Sequence, residues 1–162
     1  FAKGYAMLKS GDLVGAETAL KALREYIAAT EDKIRFHPAK HVVGVLTHIL
    51  AGEISVTMGD TEAALEAFGQ AVTLEDALDY DEPEPLPFAA RHWLGQTLLD
   101  AGQPSKAEAV FRDELKDHPH NGWSLHGLQQ SLAARGMDDP AVNDDLQKSW
   151  ARADIWLNGA KF

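Results

Sequence analysis

Three stretches of the chain carry the same residues at the same offsets. Gly4, Gly52 and Gly95 are each followed twelve residues on by Ala16, Ala64 and Ala107, and four residues after each alanine stands a large apolar residue, Leu20, Phe68 and Phe111. A second glycine follows the first by seven, at Gly11, Gly59 and Gly102. An apolar pair four apart shares one helix face. A glycine inside a helix marks a close approach by a neighbour, and a glycine at a helix end accepts the left-handed conformation. The order glycine, glycine, alanine, bulky residue therefore reads as helix A, turn, helix B, with B crossing A tightly. One such hairpin cannot bury its apolar face alone, so hairpins must stack.

This pattern resembles the tetratricopeptide (TPR) repeat, L-G-x2-Y, then A-x3-F, then P, over roughly 34 residues. The third unit matches best, with Leu94-Gly95, Leu98, Gly102, Ala107, Phe111 and Pro119. The resemblance implies an all-α fold of about eight helices in antiparallel pairs, wound as a right-handed superhelix. We read one TPR-like domain over 1–162, with units at about 1–34, 38–78, 88–120 and 121–157. Phe1 falls inside the first helix A, which leads to the expectation of a fragment of a longer protein. Asn121 is placed to cap the fourth helix A, Gly136 to end it, and Pro140 to open a last helix carrying Val142, Leu146, Trp150 and Ala153.

The spacing is uneven: Gly11, Gly59, Gly102 and Gly136 are separated by 48, 43 and 34 residues. The first excess predicts longer helices, one over about Val14 to Ile34 and one over Pro38 to Met58. The second falls in Asp79–Pro87, where Pro83, Pro85 and Pro87 forbid regular helix and predict an ordered, extended loop. Six acidic residues (Glu75, Asp76, Asp79, Asp81, Glu82 and Glu84) predict that this loop is solvated; their register is not that of a calcium loop. The segments Leu78-Asp79-Tyr80-Asp81-Glu82-Pro83, Arg91-x2-Leu94-Gly95, Ala107-Glu108-x-Val110-Phe111-Arg112 and Pro119-x-Asn121-Gly122-Trp123 resemble the C-terminal part of a bacterial family of long, mostly uncharacterised TPR proteins. That resemblance spans about 50 to 136, with departures at Leu86 and Phe88, and implies a fold rather than an activity.

In TPR arrays the concave face is lined mainly by helix A. The register implies that Tyr5, Glu53, His92, Gln96, Trp123, His126 and Gln130 line it here. His then Gln four residues on occurs in two neighbouring units, beside an aromatic; such a groove suits a peptide. The bland alternative is that these residues are solvated or touch the next repeat. The Lys and Asn that TPR domains use to clamp a C-terminal carboxylate are missing from these positions, which argues against that ligand. No catalytic residue, metal ligand set or cofactor motif is read. There is no Cys, no HExxH, no G-x-S-x-G and no phosphate-binding glycine loop, and His118-Pro119-His120 reads as an inter-repeat turn. A net charge of −10 disfavours nucleic acid and anionic membranes, and no apolar run reaches membrane-spanning length. Absence of cysteine suits cytoplasm and periplasm alike.

The expected function is therefore a scaffold or adaptor that binds protein or peptide in the groove. The alternative is a purely structural C-terminal cap of a longer solenoid, serving stability or self-association. Trp150, Ile155, Trp156, Leu157 and Phe162 crowd the last thirteen residues. Such a tail either folds back over the final repeat as a cap, the preferred reading, or docks on a second subunit as a homodimer.

Overall fold

The computed structural model describes residues 1–161, and Phe162 lies outside them. Among the described residues there are eight α-helices and one two-stranded ladder: α1 (Ala2–Lys9), α2 (Leu13–Ala29), β1 (Lys33–Ile34), β2 (His37–Pro38), α3 (Ala39–Met58), α4 (Thr61–Asp76), α5 (Arg91–Asp100), α6 (Pro104–Asp117), α7 (Gly122–Ala134) and α8 (Pro140–Trp150). The chain divides into two units, Phe1–Ala90 and a second beginning at Arg91.

In both units the glycines sit where the repeat demands. A side chain at Gly52 would overlap the Phe68 ring, and one at Gly95 would overlap Phe111. Ala64, Phe68, Ala107 and Phe111 are all wholly buried, as the crossing requires. The turn glycines take the left-handed conformation, with Gly59 at φ 79° closing α3. Helix starts follow side-chain caps: Asp12 accepts from Gly15 N at 2.8 Å, Asp60 from Ala63 N at 3.0 Å, and Asn121 from Trp123 N at 3.0 Å and Ser124 N at 3.2 Å.

The first unit is built on α3, which packs against α2, α4 and β2. Val42, Val45, Ile49, Leu50 and Ile54 are among its buried residues. By length and mean hydropathy α3 is apolar enough to cross a membrane, which corrects the reading that no segment reaches that length. Half of that window is buried in this fold; its apolarity suits a helix covered on several sides.

Three further expectations are corrected. Helix α2 ends at Ala29 rather than near Ile34. Thr30 is extended, at φ −85° and ψ 136°, and its hydroxyl accepts from Asp32 N at 3.1 Å. That local bond competes with helix, and the chain turns into the β1–β2 hairpin with Arg35 at φ 56°. The acidic loop is not wholly solvated, because Asp81 is buried. Its carboxylate pairs with Arg35 Nη1 at 2.7 Å and lies 3.3 Å from His37 Nε2. Arg35 also donates to the carbonyl of Pro83 at 3.3 Å. Glu75 accepts from Ala90 N at 2.9 Å, and Leu86 is buried. The hairpin and the proline-rich loop are thus clasped within the first unit. Finally, α8 stops at Trp150 and does not carry on to Ala153, whose N–H bonds back to the Trp150 carbonyl at 3.0 Å.

In the second unit Phe111, on α6, fills the space left by two glycines, Gly95 on α5 and Gly127 on α7. Three helices therefore close on one ring. Trp150 closes the last hairpin in the same way, against Gly122.

Candidate functional site

The residues assigned to the groove fall in both units. In the first, Lys9 joins two of them. Its ammonium lies 4.9 Å from the centre of the Tyr5 ring and 2.5 Å from Glu53, whose side chain is only 2% exposed. Burial alone would lower the Lys9 pKa, but the hydrogen bond and charge of Glu53, with Tyr5, outweigh it and hold the group above its ordinary value. Glu53 is thus held in an ion pair between α1 and α3.

In the second unit the remaining five lie on α5 and α7. His92 is 3% exposed, and its Nε2 stands 3.0 Å from the Ser124 hydroxyl oxygen. Ser124 donates its single proton to Glu114, so His92 reaches that oxygen as an Nε2–H donor, in the neutral tautomer. Glu114, also buried, accepts from His118 Nδ1 at 2.8 Å and from Asn121 Nδ2 at 3.5 Å. Burial, followed by the nearby His118, lowers the His92 pKa to about 4. Burial raises that of Glu114 against the opposing pulls of Ser124 and His118. His92 is therefore an internal fastener that ties α5 to α7 and α6. Trp123 meets Trp150 edge to face, ring centres 5.8 Å apart and planes at 80°.

Gln96 lies one turn beyond His92. Its Nε2 donates to Asp100 Oδ1 at 2.8 Å, and its Oε1 accepts from the backbone N–H of Ala160 at 2.6 Å. Ala160 is fully buried, and a Cβ on Gly159 would stand 2.8 Å from Gln96 Oε1. The tail does fold back, with Leu157 half-buried, but Ile155 is 57% and Trp156 93% exposed. This corrects the apolar cap at Ile155 and Trp156, whereas Trp150 packs on Gly122 as that reading expected; Phe162, the fifth residue of it, is outside the described residues. The reason is that α8 ends early. Trp150 Nε1 donates to the Ile155 carbonyl at 3.3 Å, and the chain returns to α5 on its two smallest residues.

His126 and Gln130, one turn apart on α7, carry buried polar atoms, Nε2 and Oε1, without a hydrogen-bond partner among the described residues. Burial lowers the His126 pKa and favours neutral imidazole. Gln130 also lines a cleft of about 270 Å³ with Gln129, Met137, Asp139 and Asn143. An unsatisfied donor or acceptor at such depth is costly and is met by water or by a ligand's polar groups.

Reading the sequence missed Ser124 and Glu114, and with them the role of His92. Glu114 and His118 do stand four apart on one helix face, a signal for pairing. Nothing in the sequence marks Ala160 as a partner of Gln96, 64 residues away.

No family model matches the chain, and no curated protein matches it. Among solved structures, the chain is similar to one described as the crystal structure of MamA protein, at 14% identity and a TM-score of 0.56, with 96% of this chain and 94% of that chain covered. Likeness at this identity speaks for the fold alone: a TPR-like helical repeat.

Proposed function

We propose that the chain is a non-enzymatic module that binds protein or peptide segments, and that its binding face is the Gln96, His126 and Gln130 row of the second unit. The observation that carries this reading is the bond from the Ala160 backbone to Gln96: a bent, non-helical stretch of main chain already lies on α5, held through its N–H. Gln130 lines a cleft of about 270 Å³ between α7 and the start of α8, which supports it. The arrangement nearest to a catalytic one, Ser124 with His92 and Glu114, has its hydroxyl fully buried and its proton engaged, which supports a structural role for those three. The net charge of −10 supports a polypeptide ligand over nucleic acid.

The test is selection of random dodecapeptides displayed on phage against the immobilised chain, with calorimetry on the synthetic winners. An enriched family whose affinity falls about tenfold in both Gln96→Ala and Gln130→Ala is the expected result. Failure to enrich any family returns the second unit to a purely structural role.

A further inference from the structure

We propose that residues 157–160 are a built-in occupant of the Gln96 face, and that the partner displacing them is a peptide carrying two consecutive small residues at a bend. This rests on reading that face as a peptide site. A segment that serves only as a cap buries its large apolar residues and leaves its small ones outside. Here the order is reversed. Ile155 and Trp156 stand in solvent and Leu157 is only half-buried, while Gly159 and Ala160 are buried.

The contact is with main chain, and a β-carbon at Gly159 could be admitted only by moving the Gln96 amide that holds Ala160. Ala160 N–H lies 2.6 Å from Gln96 Oε1, and a β-carbon at Gly159 would press to 2.8 Å of the same oxygen. No helix or strand holds residues 151–161. The Trp150 indole bond to the Ile155 carbonyl directs the segment back towards α5. A tether this short keeps the segment at an effective concentration on the order of 1 mM. If its intrinsic dissociation constant is ~100 μM, the attached segment weakens an outside competitor by about tenfold.

The experiment uses a fluorescein-labelled synthetic peptide of residues 153–162, read by anisotropy against the full chain and against a chain ending at Arg152. The shortened chain should bind it saturably at one to one, and the full chain about tenfold more weakly. A peptide with Val in place of Gly159 should bind about tenfold more weakly, because its side chain displaces the Gln96 amide. Should the shortened chain fail to fold, Ala160→Pro in the full chain carries the test: it removes the donated N–H and should raise affinity for the added peptide about tenfold. Equal affinity of full and shortened chains, indifference to the Gly159 change, or no effect of Ala160→Pro in that case, overturns the proposal. Phage-selected peptides that bind the shortened chain where the tail peptide does not sink this inference and leave the peptide-binding reading standing. If neither kind of peptide binds, both fall.

Discussion

Phe111 is the side chain on which much of the second unit closes, because Gly95 and Gly127 leave room for its ring and nothing larger than hydrogen fits opposite it. Phe111→Ala should lower unfolding stability by about 3–5 kcal/mol, read as a shift of the denaturant midpoint. His92 carries a second prediction, in pH. Its pKa falls from an ordinary 6.5 to about 4 in the folded chain. Between those values the unfolded state binds the extra proton, so this contribution is complete above the unfolded pKa and fades as pH falls from 6.5 towards 4. The depression corresponds to roughly 3 kcal/mol at its fullest. Glu114 acts in the opposite sense: its raised pKa gives stability present at low pH and lost as pH rises through the folded value. His92→Gln should therefore flatten the loss of stability on acidification from pH 6.5 to 4, measured by urea unfolding across that range. An unchanged slope would show that His92 does not titrate between the two states.

At the scale of elements, caps and clasps decide where helices stop. Asn121 receives two N–H groups of α7 and also reaches Glu114. Asn121→Ala should cost about 1–2 kcal/mol, more than a cap alone, and thermal unfolding will register it. The β1–β2 hairpin depends on Asp81, which gathers Arg35 and His37 from 44 or more residues away in sequence. Arg35 is half exposed, so its pairing is partly screened. Asp81→Ala should therefore cost about 2 kcal/mol, chiefly through the buried partner it abandons. Limited proteolysis should then cut first within residues 79–87. Retained protection of that loop would mean the clasp is not what orders it.

At the scale of the whole chain, stability is distributed unevenly. In the first unit α3 is covered by α2, α4 and the hairpin, and Ile49, Leu50 and Val45 are wholly buried along it. Its middle amides should exchange with solvent more slowly than those of any other helix of that unit. Mass-spectrometric hydrogen exchange checks this; α1 amides as protected as those of α3 would contradict it.

The TPR-like helical repeat was legible in the sequence because its determinants are local and periodic. A glycine, an alanine and a bulky residue at fixed offsets specify a helix hairpin through sterics alone, and Asn121, Pro140 and Gly136 mark ends by the backbone geometry each permits. The register also led to the expectation that Gln96, His126 and Gln130 share one groove face. It could not say which polar groups meet. The pairing of Asp81 with Arg35 and His37, the fastening of His92 by Ser124 and Glu114, and the seat of Ala160 on Gln96 join residues remote along the chain. Each depends on how completed helices and loops close upon one another. Periodicity names the buried face, whereas the partner of a buried polar atom is set by distances that exist only once tertiary packing is complete.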